Sequence, residues 1–335
     1  MVDSESAPTT TDEQSLTQQI QWGHQLTLAL QSEISKVFIG QQPVLKQVLI
    51  GLLSAGHVLI EGLPGLGKTL LVRAMAKCIG GDFSRIQFTP DLMPSDITGH
   101  AIYDMNLKEF QMRKGPVFTN LLLADEINRA PAKTQAALLE VMQEKQVTIE
   151  GQSYPAGNPF MVLATQNPIE QEGTYALPEA ELDRFMMKII IHYPELNEEL
   201  ALVKLVTDGR AESFNIDALQ AIMSVEDVIQ LQKLTCHLNI DDSVLDYVVR
   251  LVRATRDWSG IAKGASPRAS IAIVRAAKAH ALMAGNSFVT PDDVKAVAPM
   301  ILRHRVMLSA DMEIEGVKSD EVLQTILNQT EAPRQ

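Results

Sequence analysis

Residues 62–69 form a glycine-rich segment, GLPGLGKT, which follows the short apolar run VLI at residues 58–60. The segment fits the pattern GxxxxGK(S/T), whose small residues allow backbone N–H groups to surround a phosphate at the start of a helix. In this pattern Lys68 would reach the β- and γ-phosphates, and Thr69 would bind magnesium. The segment therefore predicts a strand, a phosphate-binding loop and a helix, in that order.

Four further short runs, β-prone or continuously apolar, follow the glycine-rich segment and are separated by helical or loop-like stretches. They occupy residues 83–88, 121–124, 161–164 and 189–191. Such runs are typical of parallel strands that are covered on both faces. We therefore expect an α/β fold in which helices sandwich a parallel sheet.

Two segments that hold proline and glycine around short alternating stretches interrupt this order, at residues 91–118 and 146–160. Their pattern predicts two β-hairpin insertions. Exposed working loops and packing decoration are both open interpretations of these insertions.

A change of pattern after Tyr193 and Pro194 divides the chain, because the strand-like runs stop there and helical signals follow. A length of 335 residues also favours two packed units over one. Ser266 and Thr290, each before a proline, are predicted to cap two of the later helices through their hydroxyl groups. We expect a disordered acidic tail at 1–17, a nucleotide-binding domain at 18–193, a smaller all-α lid domain at 194–315 and a tail at 316–335.

Composition limits the partners of the chain. The formal net charge is -12, so the molecule as a whole repels a phosphate backbone, and nucleic acid is a disfavoured partner. The sequence contains no run of 18 apolar residues, and membrane insertion is not expected. Cys78 and Cys236 lie far apart without a metal-ligand spacing, which favours reduced thiols in a cytoplasmic protein.

Polar side chains follow two of the predicted strands. Asp125 and Glu126 come directly after the run at 121–124, at the carboxyl end of a strand, where ligands of open α/β sheets gather. Asp125 suits magnesium, and Glu126 suits activation of an attacking water. Asn167 follows the run at 161–164 and offers an amide to orient that water, although Asn-Pro after a strand is more often only a turn.

Four blocks together resemble the MoxR group of the AAA+ superfamily of P-loop NTPases, over roughly residues 20–305. They are GLPGLGKT, LLADEINRAPAKTQAALLEVMQE, ATQNPIEQEGTYALPEAELDRF and GASPRA, in the order that this group shows. The two predicted hairpins are similar to those of the wider clade, which includes magnesium chelatase subunits and replicative helicases. The resemblance implies an AAA+ α/β domain followed by a helical lid.

The resemblance also implies a role for each matching residue. Lys68 and Glu126 would act in catalysis, with Asn167 as sensor 1, Arg184 as arginine finger and Arg268 as sensor 2. Thr69 and Asp125 would hold magnesium. The nucleotide would contact Ile39, Gly40, Gln41, Gly62, Leu63, Pro64, Gly65, Leu66, Gly67, Lys68, Thr69 and Leu70, with residues 39–41 cradling adenine.

Two assignments stay open at this point. Arg129 is an alternative to Arg184 as the arginine finger. Arg268 belongs to a predicted first helical turn, where its guanidinium can face anionic phosphate. That phosphate belongs either to the nucleotide of its own subunit or to that of a neighbour.

The resemblance implies an ATPase that binds ATP and Mg²⁺ in an oligomeric ring, expected to be a hexamer. Its chaperone-like work would be to remodel or activate client proteins, or to assist their maturation by metal or cofactor insertion. A protein with a von Willebrand factor A domain is the expected partner. The alternatives are a nucleic-acid motor related to replicative helicases and a nucleotide switch that does not hydrolyse ATP.

Overall fold

The computed structural model describes residues 10–63, 65–167, 174–207 and 215–333. The first part of the chain combines six helices with nine strands. The helices are α1 (Thr10–Ser35), α2 (Gln42–Leu53), α3 (Lys68–Cys78), α4 (Pro94–Thr98), α5 (Ala132–Glu144) and α6 (Glu179–Leu182), with a 3-10 turn at Ile127–Arg129. The strands are β1 (Val58–Gly62), β2 (Phe83–Gln87), β3 (Gly99–Asp104), β4 (Glu109–Lys114), β5 (Leu121–Asp125), β6 (Gln146–Ile149), β7 (Gln152–Pro155), β8 (Met161–Gln166) and β9 (Met187–Ile191).

Five of these strands form one parallel sheet in the order β2-β5-β8-β1-β9. This confirms the five predicted strands, and the central ones are buried on both faces, as their continuous apolar runs indicate. Because the strands run in the same direction, all their carboxyl ends meet at one edge of the sheet. The glycine-rich loop after β1 and the carboxylates at the end of β5 therefore share that edge.

Both predicted hairpins are present. Strand β3 pairs with β4, and β6 pairs with β7, each in antiparallel register. The base of the first hairpin requires glycine, because a Cβ atom on Gly99 would lie 2.2 Å from the carbonyl oxygen of Arg113.

The second part of the chain is helical, as predicted. It contains α7 (Leu196–Thr207), α8 (Val225–His237), α9 (Asp242–Asp257), α10 (Pro267–Ala284), α11 (Pro291–Leu302), α12 (Ala310–Ile314) and α13 (Ser319–Gln329), with a 3-10 turn at Ile216–Ala218. Four short strands form two pairs: β10 (Asn239–Ile240) with β12 (Phe288–Val289), and β11 (Ile261–Lys263) with β13 (Met307–Leu308).

The two predicted helix caps have different outcomes. Thr290 and Asp293 form a reciprocal capping box at the start of α11, which confirms the prediction there. Ser266 occupies the N-cap position of α10, but its hydroxyl does not cap the helix and instead donates to Asp183 Oδ2 at 3.4 Å. The prediction for Ser266 is wrong because a carboxylate from another segment is within reach of its hydroxyl.

The two expected tails contain helical structure. Helix α1 begins at Thr10, inside the segment 1–17 that was expected to be disordered. Helix α13 lies inside the expected tail at 316–335, and it packs against α9 and α11. Its buried residues are Val322, Leu323, Ile326 and Leu327, whose spacing defines one face of a helix.

The hydrophobic core joins the two parts of the chain. One cluster of buried side chains runs from α1, α2 and α3 on one face of the sheet into α8, α9, α10 and α11. A second cluster fills the opposite face of the sheet beneath α5. Among the described residues, no helix is long and apolar enough to cross a membrane.

The core position of α13 leads to a stability prediction. Leu323 is fully buried, so Leu323→Ala should lower the free energy of unfolding by about 2–4 kcal/mol through lost burial and a residual cavity. Denaturant unfolding would measure the change. Gln324→Ala, one position along on the exposed face of the same helix, is the control and should have little effect. Equal effects of the two variants would contradict the packed position of α13.

His57 connects three elements at the amino end of β1. Its Nε2 donates to the carbonyl oxygen of Met142 at 3.0 Å, and its Nδ1 accepts from the backbone N–H of Val162 at 3.0 Å. Burial lowers the pKa of His57 to about 4. A second proton would place an N–H on Nδ1 opposite the N–H of Val162, so the folded state strongly favours the neutral ring.

This lowered pKa predicts a loss of stability in mild acid. Between pH 6.5 and 4 the unfolded chain binds a proton at His57 that the folded chain excludes, so stability falls as the pH falls and levels off below 4. The contribution over this window is about 3 kcal/mol. Thermal or urea unfolding at several pH values should show a shallower decline for His57→Gln than for the unmodified chain. Parallel profiles would contradict the assignment.

Candidate nucleotide site

The phosphate-binding loop connects the carboxyl end of β1 to the start of α3. Gly65 and Gly67 adopt φ angles of +83° and +77°, a region that favours glycine. A Cβ atom on Gly67 would also meet the ring of Phe38 at 3.3 Å. No side chain caps the start of α3, so its first backbone N–H groups are suited to an anion. Of the predicted contacts, Pro64 lies outside the described residues.

Lys68 is the first residue of α3, and its Nζ donates to the carbonyl oxygen of Gly62 at 2.8 Å. Partial burial lowers the pKa of Lys68, while the charges of Asp125 and Glu126 oppose that effect. The ammonium group therefore lies in the field of both carboxylates. The structure thus brings together the lysine of the loop and the acidic pair that the sequence predicts.

Asp125 is held from both sides at the end of β5. Arg85 on β2 donates to Asp125 Oδ2 at 2.6 Å, and Thr165 on β8 donates to Oδ1 at 2.6 Å. The same Thr165 hydroxyl oxygen accepts from the backbone N–H of Glu126 at 2.8 Å. Arg85 and Thr165 belong to no motif and were not predicted from the sequence. The signal for them is the strand order, in which β2 and β8 flank β5.

Glu126 adopts a positive φ of 57°, which is uncommon for a residue with a side chain. Its Oε2 accepts from Gln87 Nε2 at 2.7 Å and from Arg129 Nη1 at 3.0 Å. Both donors occupy the same carboxylate oxygen. Glu126 can therefore take a proton from water at Oε2 only after one of these donors is displaced.

Asn167 lies directly after β8, and its side chain is buried. Because β8 lies between β5 and β1, this position falls between the acidic pair and the phosphate-binding loop. The location suits an amide that orients a water against a terminal phosphate.

Residues 39–41 follow Phe38, whose ring would meet a Cβ atom on Gly67 at 3.3 Å, so they lie beside this loop. The backbone N–H of Gln41 donates to Glu198 Oε1 at 3.2 Å, and Gln41 Nε2 donates to the carbonyl oxygen of His192 at 3.2 Å. Gln41 Oε1 is buried and accepts no hydrogen bond from the described part of the chain. A buried acceptor without a donor fits the exocyclic amine of adenine.

The residues predicted to hold magnesium are oxygen donors, as this ion requires. Asp125 lies at the end of β5, and Thr69 is the second residue of α3. Among the described residues, no group of three or more histidine, cysteine or acidic side chains forms a metal cage. This donor set fits Mg²⁺, which is usually held by one or two protein groups together with substrate phosphates.

Arg184 and Arg268 line a second, separate cavity of about 210 Å³, which we call the arginine pocket. Arg275, Arg305 and Lys145 also line this pocket, and Asp183 is the only acid among its described lining residues. Residues 55–57 form part of its wall, and they lie just before the amino end of β1. The pocket is therefore at the amino edge of the sheet. The five residues of β1, spanning roughly 13 Å, separate it from the phosphate-binding loop of the same chain.

Both arginines are held by neighbouring groups at this edge. Arg184 Nη1 donates to Gln143 Oε1 at 2.6 Å and to the carbonyl oxygen of Leu139 at 3.3 Å, at the end of α5. Arg268 Nη1 lies 3.8 Å from Asp183 Oδ2. The structure thus brings Arg184 and Arg268 together and keeps both away from Lys68.

Arg305 fixes the segment that carries Arg184. Its side chain is 3% exposed, and its Nε donates to Asp183 Oδ1 at 2.6 Å. Its two Nη atoms donate to the carbonyl oxygens of Asp183, Phe185 and Met186. Because Arg305 follows α11, this residue ties the helical part of the chain to the residues before β9.

The double hydrogen bond of Thr165 yields a prediction for the site. Thr165→Val keeps the side-chain shape but leaves the backbone N–H of Glu126 without its acceptor and removes a donor from Asp125. The free energy of unfolding should fall by about 1–3 kcal/mol. Thr165→Ser keeps the hydroxyl and should recover most of that loss, as measured by urea unfolding. A serine variant as unstable as the valine variant would show that the hydroxyl is unimportant.

Comparison with known proteins agrees with this geometry. Residues 57–187 match the ATPase family associated with various cellular activities (AAA), and residues 253–326 match the AAA lid domain, which thus extends beyond residue 315. The uncharacterized protein YeaC of Bacillus subtilis is 46% identical over 90% of this chain and 93% of its own length. Chaperone MoxR1 of Mycobacterium tuberculosis is 46% identical over 90% of this chain and 81% of its own length.

A solved structure supports the same relationship. The crystal structure of a protein from Cytophaga hutchinsonii, described as a candidate ATPase, has a TM-score of 0.89 and 44% sequence identity to this chain. The match covers 96% of this chain and 99% of that one. The sequence blocks, the strand order and these similarities together show that the chain belongs to the MoxR family of AAA+ ATPases.

Proposed function

We propose that this chain hydrolyses ATP in a ring whose active sites are each completed by a neighbouring subunit. The observation that carries the proposal is the separation of the site into two halves. The predicted phosphate-binding and water-activating groups lie at the carboxyl edge of the sheet, whereas Arg184 and Arg268 lie at the amino edge.

A head-to-tail assembly resolves this separation. In such an arrangement one face of a subunit meets the opposite face of the next, and repetition closes a ring. The arginine pocket of one subunit then faces the phosphate-binding loop of its neighbour. We infer on this basis that Arg268 acts in trans, together with Arg184. We expect the ring to be a hexamer.

Within each site the chain's own residues divide the chemistry. Lys68 and the first N–H groups of α3 bind the phosphates, and Thr69 and Asp125 would hold magnesium, which neutralises phosphate charge when bound. Glu126 accepts the proton of the attacking water once Gln87 and Arg129 release it, and Asn167 orients that water. Arg184 of the neighbour stabilises the charge that develops on the transferred phosphoryl group.

Arg184 is preferred over Arg129 as the finger because of where each residue lies. Arg129 is in the 3-10 turn after β5, at the same edge as its own phosphate-binding loop, and it donates to Glu126 of its own chain. Arg184 precedes β9 at the opposite edge. Arg184 could therefore approach a neighbour's nucleotide without disturbing the acidic pair of its own subunit, whereas Arg129 is bonded to that pair.

The work of the ring would be done on proteins. The relative MoxR1 is named a chaperone, which supports remodelling, activation or assisted maturation of a client. A partner with a von Willebrand factor A domain is expected from the family resemblance. The net charge of -12 disfavours a nucleic-acid motor.

Two variants and their mixture test the shared site. Glu126→Gln and Arg184→Ala should each bind ATP, measured with a fluorescent analogue, and each should lose hydrolysis by a factor of about 10³ or more. Mixed subunits should regain activity, because an Arg184→Ala subunit keeps an intact nucleotide site that a Glu126→Gln subunit can complete. Arg250→Ala, an exposed ion-paired arginine on α9, is the control.

Other results would contradict the proposal. Hydrolysis by a monomer, or mixtures that stay inactive, would argue against a site shared between subunits. Unchanged phosphate release by Glu126→Gln would favour a nucleotide switch. Tight, salt-sensitive binding of single-stranded DNA would favour a nucleic-acid motor.

A further inference from the structure

Helix α7 presents an apolar stripe to solvent. Leu196, Leu200 and Val203 are separated by four and three residues, so they lie on one face of the helix. Their exposed fractions are 74%, 49% and 49%, and the preceding Tyr193 is 71% exposed. Aliphatic side chains aligned on one helix face normally pack against another surface.

The opposite face of α7 packs against Gly40 and Gln41, which are predicted to contact the nucleotide. Glu198 lies two residues from both Leu196 and Leu200, and its carboxylate accepts from the backbone N–H of Gln41. A Cβ atom on Gly40 would lie 2.8 Å from the carboxyl carbon of Glu198. The helix also leaves the sheet where Ile191, the last residue of β9, pairs with Gly62. The apolar stripe is therefore at the carboxyl edge, beside the phosphate-binding loop.

The surface around the arginine pocket complements this stripe in its apolar centre and in the sign of its charges. Ile271 lies on α10 between Arg268 and Arg275, and it is 61% exposed. The arginines and Lys145 make the surrounding charge mainly basic, with Asp183 as the one acid among the described lining residues. Around the stripe of α7 the exposed charges include Glu195 and Glu199 on one flank and Lys204 on the other. The acidic flank of the stripe therefore complements the basic surroundings of Ile271.

We propose that α7 is a docking surface for a second copy of this chain, whose α10 packs on the apolar stripe through Ile271. This contact would lie beside the nucleotide and would place the neighbour's Arg184 and Arg268 towards the phosphates. Arg275 and Lys145 of the neighbour would meet the acidic flank of the stripe, formed by Glu195 and Glu199. The inference rests on the proposed trans arrangement and adds the surface that holds the two subunits in register.

The first test is assembly. The double variant Leu200→Ser, Val203→Ser should shift ring formation, measured by sedimentation velocity with a non-hydrolysable ATP analogue, to concentrations higher by about tenfold or more. Leu28→Ser on α1 is the matched control, because Leu28 is also 49% exposed, and it should assemble normally. Circular dichroism and a thermal melt establish that each variant is folded.

The second test uses the head-to-tail direction of the contact, in which one subunit contributes α7 and the other contributes the arginine pocket. In a mixture of Arg184→Ala and Glu126→Gln subunits, activity arises only where the nucleotide site of the first meets the pocket of the second. The α7 changes should therefore abolish most of the regained activity when they are in the Arg184→Ala subunit. In the Glu126→Gln subunit they affect interfaces that are already inactive, and the loss should be at least about tenfold smaller.

Failure of this inference is distinct from failure of the proposed function. Mixtures without α7 changes that never regain activity contradict the trans site itself. If the α7 changes lower the regained activity equally in either subunit, α7 is not the docking surface for the neighbour. Normal assembly of the double variant overturns that role as well, including the case in which the stripe instead binds a client.

Discussion

The strands of the central sheet are parallel, and their common direction decides which groups can meet within one subunit. Because β1, β5, β8 and β9 run in one direction, every loop at their carboxyl ends falls at one edge and every segment before them falls at the other. The phosphate-binding loop, the acidic pair and Asn167 follow strands, so they converge. Arg184 precedes a strand, so the same rule separates it from them by the length of β1.

The sequence was sufficient to predict the groups that follow strands. GLPGLGKT, Asp125, Glu126 and Asn167 are adjacent to apolar runs, and the carboxyl ends of parallel strands converge whatever the lengths of the connections. The strands, both hairpins and the helical second part were predicted for a similar reason, because their signals are local. Burial patterns and turn residues report the nearest few positions of the chain, which is the range over which those elements form.

What the sequence did not predict depends on contacts between distant segments. Arg85 and Thr165 have no motif of their own, and they reach Asp125 only because β2 and β8 flank β5. Ser266 has the local pattern of a helix cap, yet it donates to Asp183. Helix α13 was missed because four apolar residues are a weak signal until α9 and α11 offer a surface for them. The location of Arg268 could not be predicted either, because the sequence does not determine at which edge of the sheet its helix begins.

Arg305 links the lid to a segment of the nucleotide-binding domain that is distant from it in sequence. Its buried guanidinium joins the end of α11 to residues 183–186, so a shift at this end of the lid would be passed directly to the segment bearing Arg184. In the head-to-tail ring that we propose, this segment would lie against the next subunit's nucleotide. A displacement of one lid would then change the surroundings of the neighbour's phosphates before those of its own. Movements would therefore pass from one subunit to the next through the lids.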